Sequence, residues 1–274
     1  MDIKAFKMDG LGNDFVIIDS RQKVANLSKE QIVKICDRKF IGCDQLILIE
    51  KNSTADAHLK FFNADGGESG ACGNGTRCVA DFISKENGNK TIILTTLSGN
   101  LKSEILGSNL VTTEIGNAKI KWHEIPLSGE LNTKNLNIKI NDLNNKEHSG
   151  GIAINVGNPH VIFFVNEIEN FNIEEIGPQV ENNNMFPEKC NVTIAKVINK
   201  DLIKVKVWER GVGLTKACGT AACATAFAGK LNNLTDNNTD IEFETGKLSI
   251  FIDEMNSIHM KGPVSDIEKI SIKL

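Results

Sequence analysis

The chain has 274 residues, of which 41% are hydrophobic and 24% charged, a balance typical of a globular protein with one large domain or two ordinary ones. Its formal net charge is −4 and its 31 basic residues form no long run, which argues against nucleic acid or a membrane surface as the main partner. No apolar stretch approaches the roughly 18–20 residues of a membrane-spanning helix, and residues 1–15 lack the apolar run of a signal peptide. The sequence therefore predicts a cytoplasmic protein whose seven cysteines are free thiols.

Most of the predicted elements are strands. Short runs rich in Ile, Val, Leu and Phe are separated by turn sequences such as SGN and TGK. These runs lie at 3–9, 15–20, 46–50, 58–62, 91–97, 110–115, 160–165, 191–197, 203–209, 247–253 and 267–274. The polar stretch 141–150 is predicted to be a loop.

Four segments have the pattern of helices, at 27–36, 72–88, 173–182 and 218–230. The first begins with Ser28 and has Gln31 three residues later, which predicts a capping box. The second ends at Asn87-Gly88, a typical C-terminal stop. The third carries Pro178 near its middle and is the weakest, whereas the fourth is so rich in small residues that we expect it to be buried.

The sequence repeats itself at an interval of 145–147 residues. Cys72-Gly and Cys218-Gly are 146 residues apart, and both open into a run of small and apolar residues. Four weaker matches occur in the same order: Gly12-Asn13 with Gly157-Asn158, Cys43-Asp44 with Cys190-Asn191, Asp65-Gly66 with Arg210-Gly211, and Gly99-x-Leu101 with Gly246-x-Leu248. We infer two homologous halves: residues 1–118 with a final strand that crosses back at 263–274, and residues 119–262.

The two Cys-Gly turns are the strongest candidates for chemistry. A cysteine just before a helix lies near the positive end of the helix dipole, where its pKa falls and the thiolate is stabilised. The glycines leave backbone N–H groups open to an anion such as a carboxylate, and Asn74 and Thr220 are helix-capping residue types that can also reach a ligand. The other five cysteines are interpreted as small core residues: Cys36, Cys43, Cys78, Cys190 and Cys223.

One cysteine in each half suggests a reaction with two acid–base groups. If the halves close on each other, a thiolate on one face of a bound carbon removes a proton, and a thiol on the opposite face returns one. This inverts a stereocentre, and repulsion between like charges encourages the pair to hold a single proton. Which cysteine is the base depends on the stereoisomer bound.

A polar surround for a charged substrate is predicted from residues at strand ends. Arg210 can hold a carboxylate and Glu209 an ammonium group, although a surface ion pair is the alternative for the two. Each Asn could instead be only a turn residue, and a lone His160 could be structural or could tune a thiol. The Asn candidates are Asn13, Asn63, Asn158 and Asn191.

Together these motifs resemble the diaminopimelate epimerase family. The matching segments are GLGNDF at 10–15, CDQ at 43–45, FNADG at 62–66, ACGNGTRC at 71–78, GNPH at 157–160, CN at 190–191 and WERGVGLTKACGT at 208–220. The resemblance implies two pseudo-symmetric α+β domains, each a curved, mostly antiparallel sheet around a central helix, in an enzyme that is usually a homodimer. It implies interconversion of ll- and meso-diaminopimelate for lysine and peptidoglycan synthesis, with no pyridoxal phosphate, other cofactor or metal.

The resemblance also assigns roles to individual residues. Cys72 and Cys218 are implied to be catalytic, and His160 and Glu209 to tune the thiols. The reacting carboxylate is implied to bind at Gly73-Asn74 and Gly219-Thr220. The remaining implied substrate contacts are Asn13, Gln45, Asn63, Asn158, Asn191, Glu209 and Arg210.

Two departures from the family pattern affect the turns. The family usually has Ser-Glu-Ala-Glu-Met before the first Cys-Gly-Asn-Gly, where this chain has residues 67–71, Gly-Glu-Ser-Gly-Ala. The second motif usually continues Cys-Gly-Thr-Gly, but Ala221 occupies the last position. Since Ala does not tolerate positive φ, the second turn is either tighter or already helical at this residue.

Other classes of protein fit less well. Enzymes resembling proline racemase share the fold but usually have His after the first Cys-Gly, where this chain has Asn74. A thiol-redox or metal-binding protein would need closer cysteine pairs, and no CxxC occurs. A pyridoxal enzyme would need a distinctive Schiff-base lysine, and a binding module without catalysis would not require both turn cysteines.

Overall fold

The computed structural model describes residues 2–274, and the chain divides into two compact units. The first unit comprises residues up to Glu114 together with Lys261–Leu274, and the second comprises Ile115–Met260. Within the described residues, no helix is long and apolar enough to cross a membrane. Each unit combines a mainly antiparallel sheet with two helices, which confirms the predicted α+β class.

In the first unit the chain forms two helices, α1 (Lys29–Cys36) and α2 (Gly73–Asn87). Strands β1–β4 are Asp2–Gly10, Asn13–Asp19, Gln45–Glu50 and Ala57–Asn63, and β5 is Glu68–Ser69. Strands β6–β8 are Thr91–Thr96, Gly99–Gly107 and Leu110–Asn117, the last of which continues into the second unit. The final strand of the chain, β19 (Glu268–Lys273), pairs antiparallel with β1, as predicted for the last segment.

The second unit contains α3 (Ile173–Glu181) and α4 (Gly219–Leu231). Its strands are β9 (Ile138–Asn141), β10 (Glu147–Gly150), β11 (Ile152–Asn155), β12 (Pro159–Phe164), β13 (Asn191–Asn199), β14 (Leu202–Glu209), β15 (Gly213–Thr215), β16 (Asn238–Phe243) and β17 (Gly246–Ile252). Strand β18 (Ser257–Pro263) begins in the second unit and continues into the first. Two 3₁₀ turns, Trp122–Glu124 and Ile168–Asn170, complete the unit.

The two units repeat one topology. In the first, β1–β2 is antiparallel, β2–β3 parallel, β3–β4 and β4–β5 antiparallel, β4–β6 parallel and β6–β7 antiparallel. The second unit has the same order of pairings: β11–β12 is antiparallel, β12–β13 parallel, β13–β14 and β14–β15 antiparallel, β14–β16 parallel and β16–β17 antiparallel. The helices fall at the same places in both series, so the interval of 145–147 residues reflects a repeated fold.

Each Cys-Gly turn opens into the central helix of its unit. Helix α2 packs against β1, β2, β6 and β7, and α4 packs against β11, β12, β13, β16 and β17. The sequence of α4, GTAACATAFAGKL, is almost entirely buried because small side chains let the surrounding strands approach on every side. Helix α2 ends at Gly88, whose φ of 78° is the left-handed conformation predicted for that stop.

A comparison of Gly75 with Ala221 explains the departure in the second motif. A Cβ on Gly75 would lie 2.7 Å from Ile47 Cδ1 and 2.9 Å from Phe61 Cε1, so unit 1 requires glycine there. In the second unit the positions that correspond to Ile47 and Phe61 in the strand pairing hold the smaller Thr193 and Val207, opposite each other in β13 and β14. Ala221 is helical and buried, one of the two outcomes expected for this turn.

Some sequence-based assignments were wrong or incomplete. Residues 141–150, predicted to be a loop, form most of the hairpin of β9 and β10. Their polar, largely exposed residues give no apolar alternation, so only the pairing reveals the strands. The pattern also missed β7, β11, β16 and β18 and the short strands β5 and β15. The four helices and the capping box of Ser28 with Gln31 were predicted correctly.

Candidate active site

Cys72 occupies the N-cap position of α2 in the first unit. Its extended backbone, with φ of −143°, places the thiol immediately before the first helical residue, Gly73. The side chain is half-buried, and its Sγ lies 3.8 Å from Asn13 Oδ1, a long contact in which the thiol donates. The same oxygen accepts from Asn74 Nδ2 at 3.3 Å, so the structure brings Cys72, Asn13 and Asn74 together.

Three predicted polar residues of the first unit lie along one edge of its sheet. Asn13 begins β2, Gln45 begins the parallel neighbour β3, and Asn63 ends the antiparallel β4 directly opposite Gln45. Gln45 Nε2 donates to Asn63 Oδ1 at 2.8 Å. Because parallel strands begin at the same edge, the fold gathers these side chains from distant parts of the sequence.

Two charged residues that were not among the predicted site residues support this edge. Asp44 Oδ2 accepts from Asn13 Nδ2 at 2.9 Å and so fixes the orientation of its amide. Arg77 is fully buried in α2, and its Nη2 donates to Asn74 Oδ1 at 3.0 Å. The signals were present, since Arg77 lies inside ACGNGTRC and Asp44 inside CDQ, but their partners are visible only in the fold.

The second turn has a different electrostatic character. Cys218 caps α4 with φ of −137°, and its Sγ lies 3.4 Å from Thr220 Oγ1. Burial raises the pKa of the Cys218 thiol well above its usual value, and the nearby negative charge of Glu209 raises it further. The expectation that the helix start lowers the thiol pKa therefore does not hold at Cys218, where loss of solvation outweighs the helix dipole.

The remaining predicted residues lie along one edge of the sheet of the second unit. Asn158 directly precedes β12, Asn191 begins the parallel β13, and Glu209 ends β14. Asn191 Nδ2 donates to the Pro159 carbonyl at 2.9 Å, and Asn191 Oδ1 accepts from the Arg210 backbone at 3.0 Å. Thus Asn191 joins the turn after Asn158 to the turn that carries Glu209 and Arg210.

Two groups orient the turn at Glu209-Arg210. Arg210 Nη1 donates to the Glu188 carbonyl at 2.8 Å, which directs the guanidinium of this exposed turn. Glu181, at the end of α3, accepts from Trp208 Nε1 at 2.7 Å and from Gly211 N at 3.0 Å. Nothing in the sequence around Glu181 indicated that it would accept hydrogen bonds from both sides of this turn.

His160 is fully buried and neutral. Burial, with a smaller contribution from the positive charge of Arg210, lowers its pKa to about 3. Its Nε2 lies 2.8 Å from Asn158 Oδ1, which can only accept, so Nε2 carries the proton and Nδ1 does not. The structure therefore joins His160 to Asn158 within one turn, and its role toward a thiol stays a prediction.

A cavity in the second unit is formed by residues outside the predicted site. It has a volume of about 370 Å³ and is lined by the β9–β10 hairpin and the end of β12, including Asp142, His148 and Phe163. None of the predicted site residues lines it. Within residues 2–274, no group of three or more His, Cys, Asp and Glu side chains is arranged to hold a metal ion.

Comparison with known proteins shows the family to which the chain belongs. The profile of the family described as diaminopimelate epimerase matches residues 5–121 and 152–267, two segments that each contain one Cys-Gly turn. A diaminopimelate epimerase from Pelagibacter ubique (strain HTCC1062) is 70% identical over 274 residues, with 100% of both chains covered. One from Acidiphilium cryptum (strain JF-5) is 40% identical, covering 94% of this chain and 92% of the other.

Solved structures share the fold at low sequence identity. A phenazine biosynthesis protein of the PhzF family from Bacillus anthracis superposes with a TM-score of 0.70 at 15% identity, over 100% of both chains. A predicted epimerase from Pseudomonas aeruginosa gives 0.70 at 12% identity over 99% of each chain. A hydroxyproline epimerase from Agrobacterium vitis gives 0.67 at 12% identity, over 99% of this chain and 91% of that one.

The chain has a repeated α+β topology with a cysteine capping each central helix, and the family profile and the curated relatives identify it as an amino-acid epimerase. Within that class the family profile and the full-length relatives are decisive. The chain belongs to the diaminopimelate epimerase family.

Proposed function

We propose that the chain interconverts ll- and meso-diaminopimelate, serving lysine and peptidoglycan precursor synthesis, and that Cys72 and Cys218 are its two acid–base groups. The observation that carries the proposal is that each unit presents one cysteine at the start of its central helix, in a chain of this family. One thiolate removes the α-proton, and the other thiol supplies a proton to the opposite face of the same carbon.

The helix starts suit the charge that develops during this reaction. Removal of the α-proton places negative charge on the substrate carboxylate, and backbone N–H groups at a helix N-terminus stabilise such a charge. The groups proposed for this task are Gly73 with Asn74 and Gly219 with Thr220. Substrate recognition is proposed for the two sheet edges: Asn13, Gln45, Asn63, Asn158, Asn191, Glu209 and Arg210.

The charges around the two turns differ, which supports different protonation states for the two cysteines in the resting enzyme. The buried guanidinium of Arg77 follows Cys72 in the same helix, whereas the corresponding position of α4, 146 residues later, is Cys223. Burial and Glu209 keep Cys218 protonated. We therefore assign the resting thiolate to Cys72 and the resting thiol to Cys218, although deprotonation of Cys72 forfeits its long contact with Asn13. The roles exchange for the opposite stereoisomer.

Purified, reduced protein incubated with ll-diaminopimelate, l-proline and trans-4-hydroxy-l-proline in separate reactions tests the substrate. Chiral chromatography is expected to show meso-diaminopimelate and no inversion of the two ring amino acids. Inversion of proline or hydroxyproline without conversion of diaminopimelate would retain the fold and contradict the proposed substrate. Cys223→Ala, a change at a buried cysteine of α4 outside the turns, is the matched control for cysteine variants.

Two further features are proposed from membership of the family. The enzyme is proposed to be cytoplasmic and to form a homodimer. Light scattering of the protein eluting from a size-exclusion column tests the dimer, which should have twice the 30.0 kDa mass of one chain. A mass of one chain across micromolar concentrations would contradict the dimer.

A further inference from the structure

Two buried thiols outside the proposed chemistry lie in contact in the first unit. Cys36 is the last residue of α1, and Cys43 comes two residues before β3. Both side chains are buried, and Cys43 Sγ lies 3.5 Å from Cys36 Sγ, with Cys43 donating.

The backbone between them holds the thiols in place. Gly42 N donates to the Ile35 carbonyl at 3.0 Å, and Cys43 N donates to the Cys36 carbonyl at 3.2 Å. Gly42 has φ of 78°, and a Cβ there would lie 2.9 Å from the Cα of Arg38, so the turn requires glycine. Residues 37–42, which we call the dithiol loop, therefore return the chain directly onto the end of α1.

The pair also has the chemistry of a reactive dithiol. The hydrogen bond from Cys43 lowers the pKa of Cys36, which makes Cys36 the attacking thiolate and Cys43 the resolving thiol. Residues 37–40 are exposed and directly follow Cys36, and the ends of helices fray. We expect transient opening of the last turn of α1 to give a small oxidant access to Cys36, which is buried when the turn is closed.

The dithiol loop is joined to the edge that carries Asn13. Arg38 donates to both carboxylate oxygens of Asp14, at 2.6 and 2.8 Å, and to Asp44 Oδ1 at 2.5 Å. Asp44 directly follows Cys43 and fixes the Asn13 amide through its 2.9 Å hydrogen bond. A displacement of Cys43 is therefore transmitted through one side chain to Asn13, which lies 3.8 Å from the Cys72 thiol.

We propose that Cys36 and Cys43 are a redox-modification site, which a low-molecular-weight disulfide such as glutathione disulfide converts to an intramolecular disulfide. The Cys36 thiolate attacks the oxidant, whose S–S bond breaks to give a mixed disulfide and one released thiol. Cys43 then loses its proton and attacks the Cys36 sulfur, which releases the second thiol. Two protein thiols are oxidised by two electrons, and their two protons leave on the two molecules of reduced thiol.

Peptide mapping of the full chain tests the bond. The protein is equilibrated with reduced and oxidised glutathione over a range of ratios, alkylated, denatured and digested with trypsin. We expect peptides 35–38 and 40–51 to become joined as the oxidised fraction rises, and to separate again with reductant. Recovery of both peptides fully alkylated at every ratio would overturn the proposal.

Single substitutions separate this pair from the other thiols. Cys36→Ser and Cys43→Ser should each abolish the joined peptide, and Cys190→Ser, a change at a buried cysteine whose thiol donates to the Val180 carbonyl, should not. Circular dichroism checks that each variant folds, and Cys36→Ala replaces Cys36→Ser if the latter does not. A joined peptide that persists in Cys36→Ser would also contradict the assignment.

The effect on catalysis rests on the proposed function and is measured separately. Bond formation draws the two sulfurs from 3.5 Å to about 2.05 Å, which moves Cys43 and the adjacent Asp44. We expect oxidation to raise the KM of the wild type about threefold or more, with no comparable rise in Cys36→Ser under the same treatment. An equal rise in both proteins would contradict the coupling, whereas a protein without epimerase activity would leave the peptide result standing.

Discussion

Cys72 and Cys218 have equivalent positions at helix starts but different surroundings. Cys72 is half-buried in a helix that carries a buried arginine, whereas Cys218 is 5% exposed and has a carboxylate nearby. Equivalent backbone positions therefore do not give the two thiols equivalent surroundings. The proposed mechanism, in which the pair holds one proton, uses this difference.

Substitution of either cysteine removes one of the two acid–base groups. Cys72→Ser and Cys218→Ser should each lower kcat by at least about 10³-fold, because a serine hydroxyl is a far weaker acid than a thiol and therefore a poor acid–base group near neutral pH. Steady-state rates of meso-diaminopimelate formation measure the loss. Cys223→Ala should keep most of the activity, and near-full activity in either serine variant would contradict the two-group mechanism.

Arg77 is expected to favour the thiolate of Cys72 through its charge. In Arg77→Met the acid-side midpoint of the pH–kcat/KM profile should move to higher pH, since more hydroxide is needed to form the thiolate. Arg77→Lys keeps a positive charge at this position, so its midpoint should move less than that of Arg77→Met. Lys85→Met, which changes a half-exposed lysine of the same helix, is the control and should leave the midpoint in place. A profile unchanged in Arg77→Met would refute the role.

Glu209 acts on Cys218 in the opposite direction. Its negative charge contributes to the raised pKa of the Cys218 thiol, so Glu209→Gln lowers that pKa and the thiol loses its proton at lower pH. The basic-side midpoint of the pH–rate profile should therefore move downward. Glu244→Gln, a change at an exposed glutamate, is the control. If the basic-side midpoint of Glu209→Gln moved to higher pH instead, an interaction other than the charge of Glu209 would control the pKa of Cys218.

At the scale of elements, the central helices explain why one turn keeps glycine and the other accepts alanine. Gly75→Ala forces a Cβ to within 2.7 Å of Ile47 Cδ1, and overpacking of this kind costs about 1–3 kcal/mol of stability. Ala221→Gly should cost about 1 kcal/mol, because glycine disfavours a helix interior. Urea unfolding of the two variants measures both values. A Gly75→Ala variant as stable as the wild type would contradict the packing argument.

Local signals predicted the helices well and some of the strands poorly. Helix α2 was predicted as 72–88 and is Gly73–Asn87, because a Cys-Gly turn and an Asn-Gly stop are local features. Strand β16, with the sequence NTDIEF, and β7, with GNLKSEILG, contain too many polar residues to show strand periodicity. These strands are specified by pairing with β17 and β6, which no short window of sequence contains.

At the scale of the whole molecule, the repeat was predictable, and the difference between the surroundings of its two turn cysteines was not. The interval of 145–147 residues anticipated the repeated topology, and the turn residues anticipated which side chains gather at each sheet edge. The hydrogen bonds of Asp44 to Asn13 and of Glu181 to Trp208 join residues far apart in sequence. The opposite charges of Arg77 and Glu209 near the two turns likewise become apparent only in the fold. The domain limits at 118/119 and 262/263 and the individual roles of the site residues stay predictions.

The most direct test of the central claim is where solvent deuterium appears at low conversion. Reduced enzyme is incubated with ll-diaminopimelate in deuterated water, and mass spectrometry with chiral separation measures deuterium in the product and in the remaining substrate. With two acid–base groups, each meso molecule should carry one deuterium at the inverted carbon, while the recovered ll substrate stays unlabelled. Equal deuterium in both pools would mean that a single group removes and returns the proton, which would contradict the paired roles of Cys72 and Cys218.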